Sequence, residues 1–234
     1  MVGAGVGGAV CAASAFMAWA VRGRSSAVFG PSVWRGDRRR AAVALTFDDG
    51  PSESTPRLLE ILDRSEVPAT FFQCGANVER LPGVARAVRK AGHEIGNHSF
   101  SHPFFSFRSA AFMEAELART QRAIAETTGA VPVLMRAPYG VRWPGLGRAQ
   151  HRLGLKGVMW TVIGYDWKLT ADRILDRVAG NAGNGAIICL HDGRSLEPDP
   201  PVGQTLEAVR RLIPVLRGRG LKFETVSQLL CPTN

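Results

Sequence analysis

Residues 44–54 read ALTFDDGPSES, an apolar run that ends in two adjacent carboxylates, a glycine and a proline. The run has the composition of a short buried strand, and Gly50-Pro51 marks the turn that ends it. Held side by side, Asp48 and Asp49 repel, and one would take up a proton unless a cation or a donor compensates. A buried strand that closes on two like charges therefore predicts a positive partner, which the rest of the chain has to supply.

Outward from this stretch, short β-branched or apolar runs alternate with helical periodicity. Strands are expected at 42–47, 69–74, 93–97, 132–136, 156–161, 185–190 and 222–225, and helices over 55–66, 82–91, 109–128, 145–153, 170–181 and 204–218. Regular alternation of about seven such units predicts an α/β fold, a single domain built as a distorted (β/α)7–8 barrel rather than an open sheet. In such a barrel the chemistry sits at the carboxyl ends of the strands. Asp48 and Asp49 follow the first expected strand, NHSFSHP the third, RAPYG the fourth, YDW the fifth and LHDG the sixth. Solvated loops would distribute polar clusters over both ends; these five share one.

With 234 residues, 45% hydrophobic and 21% charged, the chain can bury a full core without covalent staples. Its four cysteines, Cys11, Cys74, Cys189 and Cys231, lack paired spacing and read as small core residues, with the disulfide state left open. The net charge of +9 is uneven: Arg22, Arg24, Arg35, Arg38, Arg39 and Arg40 face only Asp37, so residues 22–40 hold +5 and the remainder +4. A folded domain this mildly basic argues against a nucleic-acid partner, and the arginine cluster reads as a solvated tail or a patch for anionic lipid or polymer. Upstream, residues 3–21 are uncharged and just long enough to span a bilayer, and Ala18-Trp19-Ala20 has the small-x-small form of a signal cleavage site. No basic stretch precedes them, and the positive-inside rule runs against Arg22 and Arg24 on the carboxyl side. Residues 1–40 are thus expected to be an apolar signal or membrane anchor with a basic linker, and 41–230 the functional domain of an extracytoplasmic monomer.

His98 and His102 are four apart, which on one helical turn would place both imidazoles on the same side. Alone, such a pair is more often a surface or core feature than a metal site. The glutamate of the two-histidine zinc helix is absent, since Ser99 stands there, so a base must come from elsewhere. The aspartate pair offers one carboxylate ligand and one base, which answers the question raised by the opening stretch. A divalent cation on one Asp and two His relieves the repulsion and keeps a position open for water. Residue types alone do not say which aspartate does which. A solvated strand-end charge is the rival reading of Arg136 and a simple turn that of Asp192-Gly193, while taken singly Asp166 reads as a turn residue and Trp167 as a core aromatic. His93 and His151 read as structural or exposed.

In order, TFDDGP, HSFSH, RAPYG, YDW and LHD resemble the motifs of the polysaccharide deacetylases, the NodB-homology carbohydrate esterases, over roughly residues 41–230. The resemblance implies a hydrolase that uses a divalent metal, usually Zn2+, to remove acetyl groups from N-acetylated, or less often O-acetylated, sugar polymers such as peptidoglycan or chitin-like oligomers. It makes Asp49, His98 and His102 the metal ligands and Asp48 the catalytic base. It makes His191 the general acid, oriented by Asp166, and places Arg136 beside Asp48. The Tyr139 N–H would face the oxyanion, and Trp167 and Leu190 would shape the sugar and acetyl pocket. Two positions depart from the pattern: Ile163 stands where the fourth motif often begins with an aspartate, and Ala137 replaces a frequent proline. The rival readings are a related hydrolase of non-peptide C–N bonds in small amides and a glycan-binding barrel without turnover.

Overall fold

A computed structural model describes residues 2–231. Nine strands form one sheet: β1 (Ser32–Val33), β2 (Ala42–Asp48), β3 (Thr70–Gln73), β4 (Glu94–Asn97), β5 (Leu134–Met135), β6 (Lys156–Val158), β7 (Val162–Ile163), β8 (Ala186–His191) and β9 (Lys222–Phe223). Their order is β1-β6-β5-β4-β3-β2-β8-β7, with β9 also beside β2, and every pairing between them is parallel. The helices are α1 (Val2–Arg22), α2 (Thr55–Arg64), α3 (Gly75–Arg80), α4 (Pro82–Lys90), α5 (Ala110–Thr128), α6 (Leu146–Leu153), α7 (Ala171–Asn181), α8 (Gly203–Gly218) and α9 (Val226–Leu230).

β2 is buried along its whole length, as a central parallel strand covered on both faces must be. Successive side chains point to opposite faces. Val43, Leu45 and Phe47 face outward into a core with Leu58 and Leu62 of α2 and Leu212 and Leu216 of α8. Ala42 and Ala44 face inward with Phe72 and Ile187, and Thr46 and Asp48 continue that inner face. Burying each large outward residue contributes about 1.5–3 kcal/mol, so the register that turns Asp48 inward is strongly fixed. The same alternation on β8 sends Ile188 and Leu190 outward and Ile187, Cys189 and His191 inward.

The sheet curls into an incomplete barrel because β6 and β7 lie near opposite ends of the strand order yet are joined by residues 159–161 alone. A link of that length spans at most about 14 Å, so the two ends must lie close together. Thr161 N–H donates to Ile187 O at 2.8 Å and Thr161 Oγ1 to Trp34 O at 2.8 Å, tying the ends across the gap. An antiparallel bridge from Arg35 to Ala186 adds to that tie. The strand expected over 156–161 is therefore the shorter β6 followed by an irregular link, with β7 beginning only at Val162, and Tyr165-Asp166-Trp167 follows β7.

Residues 21–40 differ from the solvated leash expected of them. Gly157 N–H donates to Pro31 O, Met159 N–H to Val33 O and Gly36 N–H to Gly185 O at 2.7–3.1 Å, and Arg40 pairs with the half-buried Glu224 at 2.6 Å. Val21 O accepts from Arg142 N–H at 3.0 Å, and the buried Arg142 guanidinium donates to Gly23 O and Ser26 O. This strap across the barrel's open side rests on tertiary contacts, which local periodicity does not encode. Among the described residues no helix is long and apolar enough to cross a membrane, and all four cysteines are free.

Candidate active site

The end of β2 sends its two carboxylates apart. Asp48 keeps the strand conformation, while Asp49 turns into the left-handed region at φ 73°. A non-glycine residue there stores strain that the surroundings must hold. They do so through Asn77 Nδ2, which donates to Asp49 O at 2.7 Å, and Ser195 N–H, which donates to Asp49 Oδ2 at 2.8 Å. The turn is packed so tightly that a Cβ on Gly193 would lie 2.5 Å from Asp49 O.

Asp48 faces Arg136. That arginine is fully buried inside the barrel, stacked over Phe72 at 4.2 Å, and donates to Asp48 Oδ1 at 2.6 Å, Thr46 Oγ1 at 2.8 Å and the carbonyls of Val158 and Met159. It is thus no solvated strand-end charge. With Oδ1 engaged, Asp48 Oδ2 is left 4.0 Å from His98 Nε2 and 3.5 Å from Cys189 Sγ.

Asp49 Oδ1 lies 3.2 Å from His98 Nε2 and 3.0 Å from His102 Nε2. The two histidines do not share a helical turn; they flank an irregular loop after β4, in which Ser99 (φ 65°) and His102 (φ 54°) take left-handed conformations. His98 Nδ1 lies 2.8 Å from Arg136 O, which can only accept, so Nδ1 carries a proton and Nε2 is the ring atom turned toward Asp49. His102 Nδ1 is held 2.9 Å from Ser195 Oγ. Asp49 Oδ1 is buried with no hydrogen-bond partner among the described residues. An orphaned carboxylate oxygen facing imidazole nitrogens whose other ring atoms are already engaged suits a cation between them, held as metal-binding histidines usually are. Burial alone would raise the Asp49 pKa, but His102 and His98 outweigh it and hold the carboxyl well below its ordinary range.

Across the cleft, His191 ends β8. Its Nδ1 lies 2.9 Å from Asp166 Oδ1, and its N–H donates to Asp166 Oδ2 at 2.8 Å, which also accepts from Thr205 Oγ1. Burial disfavours the imidazolium, yet the Asp166 carboxylate, aided by Asp49 and Asp48, outweighs it and raises the pKa to about 9. Asp166 therefore does more than shape a turn. Asp192, the next residue, points away and accepts from Thr55 Oγ1 at 2.6 Å; burial first, then the nearby Asp49 and Asp48 charges, push its pKa up to about 7.

Asp48, Asp49, His98, His102 and His191 line a cleft of about 690 Å³ with Phe104, Tyr139, Trp160 and Trp167. Tyr139 is 47% and Trp167 42% exposed at its mouth, so Trp167 is not a core aromatic. Tyr139 stacks on Phe104 with ring centroids 3.8 Å apart, and Trp167 stands edge-on to His191 at 5.1 Å. Arg136 and Asp166 stand behind the lining residues Asp48 and His191, whereas Leu190 turns away from the cleft altogether. It is fully buried in the outer core, because a strand neighbour of His191 points to the opposite face, and Cys189 lines the cleft instead. Period two on β8 could have signalled this. Nothing in the sequence signals Ser195 or Asn77, which arrive from loops. His93 is structural: it is buried, accepts from Ala69 N–H at 3.2 Å through Nδ1, and is pushed down to about 4 by burial.

A carboxylate–imidazole triplet able to hold a cation, beside a separate carboxylate and a separate imidazole at strand ends of a curled parallel sheet, defines a metal-dependent hydrolase. The family model for polysaccharide deacetylases matches residues 35–158. The chain is 33% identical over 196 residues to a peptidoglycan-N-acetylglucosamine deacetylase of Bacillus cereus, covering 83% of this chain and 70% of that protein. It is 38% identical over 197 residues to a chitooligosaccharide deacetylase of Bradyrhizobium sp., covering 80% and 90%. The crystal structure of the Bc1960 peptidoglycan N-acetylglucosamine deacetylase superposes with a TM-score of 0.80 at 32% identity, over 85% of this chain and 92% of that one. The chain belongs to the polysaccharide deacetylase family.

Proposed function

We propose that this deacetylase removes N-acetyl groups from the amino sugars of a cell-wall glycan, outside the cytoplasm. One observation carries the reading: Asp49, His98 and His102 converge on one point while Asp48 and His191 flank it with different partners. Two imidazole nitrogens and a carboxylate form a donor set that suits Zn2+. When bound, the cation polarises the acetyl carbonyl and acidifies a water.

Asp48, its Oδ1 fixed by Arg136, takes the proton of the attacking water through Oδ2. His191, raised to about 9, is protonated at neutral pH and delivers its proton to the departing amine, which leaves poorly without one. Asp166 orients the ring through Nδ1 and leaves Nε2 as the donor atom. The Tyr139 N–H, on a residue in the left-handed region (φ 58°), is assigned to the developing oxyanion. The exposed faces of Tyr139 and Trp167 supply apolar walls for sugar rings, and Cys189 lines the cleft where Leu190 does not. The chemistry falls wholly within residues 41–230.

The test is acetate release from N-acetylglucosamine oligomers by protein stripped with chelator and then reloaded with one equivalent of Zn2+. Loss on stripping and recovery on reloading is expected; full activity in the stripped protein would overturn the reading.

A further inference from the structure

The strap over residues 21–36 lines the cleft as well as closing the barrel's open side. Arg22 and Arg24 stand in the cleft wall with Asp48 and His191, although neither belongs to a strand-end motif. The buried Arg142 fixes the backbone between and beside them, through Val21 O, Gly23 O and Ser26 O. Arg24 is further held by Thr161 O, to which its Nη1 donates, and by the face of Trp34, 5.0 Å from its guanidinium. Arg194 also lines the cleft, its Nη2 donating to Trp167 O at 3.3 Å.

None of these three arginines has a carboxylate within ion-pair distance among the described residues. The carboxylates of the cleft are committed elsewhere, Asp48 to Arg136 and Asp49 to the two histidines. An N-acetylated sugar is neutral and gives the arginines nothing to neutralise. Guanidinium groups lining one cleft without counter-charges focus a positive potential on whatever enters it. The Arg22 side chain makes no hydrogen bond among the described residues, so its guanidinium donors are available to a ligand.

We propose that Arg22 and Arg24 form a subsite for a carboxylate carried by the sugar next to the one being deacetylated, so that the enzyme selects an anionic glycan strand over a neutral one. The inference rests on the deacetylase reading and adds the charge of the substrate to it. The planar fork of arginine suits a carboxylate bidentately, and the clamped strap fixes the backbone that carries both side chains, which leaves less to order at binding.

The test compares a strand of alternating N-acetylglucosamine and N-acetylmuramic acid bearing free lactyl carboxylates with the same strand after those carboxylates are converted to amides. Binding and acetate release are measured for both on the Zn2+-loaded protein and on Arg22→Gln, Arg24→Gln and the double variant. The expected preference for the acid strand is about 5- to 20-fold in KM, about 2- to 5-fold from each partly exposed arginine. It should shrink with added salt and fall toward unity in the double variant. Because Arg24 also braces the strap, Arg22→Gln isolates the charge, and Arg22→Lys should restore part of the preference. Equal treatment of the two strands by the unmodified protein, or a preference that survives the double substitution, overturns the subsite. A protein that binds with the expected preference but releases acetate from neither strand keeps the subsite and overturns the deacetylase reading.

Discussion

The cleft has two kinds of wall. One is built from strand ends, where Asp48, His98 and His191 are carried by β2, the loop after β4 and β8. The other is the strap of residues 21–36, held from outside by Arg142 and by backbone bonds to β6 and the loops beside it. The strand-end wall gets its geometry from register in a doubly buried sheet, where a one-residue slip would move every side chain to the wrong face. The strap gets its geometry from backbone bonds to β6 and neighbouring loops and from polar contacts to one buried guanidinium. The first wall should therefore resist substitution of its neighbours and carry the chemistry, and the second should yield locally and carry selectivity.

The sharpest break in that division is removal of the cation ligands. His98→Ala and His102→Ala should each reduce acetate release to background, as chelation does, while the thermal unfolding midpoint of the metal-free protein stays near that of the metal-free parent. These side chains are not part of the sheet's hydrophobic core. Substantial turnover in either variant would show that the strand-end wall does not work as a metal site.

Smaller by expectation is loss of the acid. His191→Ala should lower kcat about 10²- to 10⁴-fold while retaining metal. Near-normal rates would place the acid elsewhere. Asp166→Asn should act mainly on pH dependence. His191 must be protonated to donate, so activity should fall on the alkaline side as pH rises through about 9. Replacing the Asp166 charge lowers the His191 pKa, and the fall should move to lower pH. An alkaline limb that does not move would mean that another group titrates there.

The motif-bearing wall was legible because period two and strand-end placement are local. ALTFDDGP placed Asp48 and Asp49 at the end of a strand, and LHD placed His191 at the end of another. What the residues left open was which aspartate does what. In space, the left-handed turn at Asp49 and Arg136, 88 residues from Asp48, give the two carboxylates different partners, and the proposed roles rest on that difference. Leu190 lies in the outer core because strand alternation, which motif order does not carry, turns it away from His191. The strap was illegible for a different reason. Residues 21–36 have no period of their own, and the partner that orders them, Arg142, follows RAPYG with nothing to mark it as buried.

The strap offers the smallest expected effect. Arg142→Met should leave Gly23 O and Ser26 O without their donor, at a cost of about 1–3 kcal/mol. Amide exchange should quicken at Arg24-to-Trp34 contacts such as Gly147 N–H, which donates to Phe29 O, before it quickens in β2 or β8. Equal acceleration across the sheet would mean that strap and barrel form one cooperative unit.

The difference between Asp48 and Asp49 is tested most directly by metal content measured beside turnover. Asp48→Asn should retain one equivalent of Zn2+ and lose about 10²- to 10⁴-fold in kcat, whereas Asp49→Ala should lose the metal itself. An Asp48→Asn protein without metal, beside an Asp49→Ala protein that keeps it, would exchange the two roles and contradict the site as assigned.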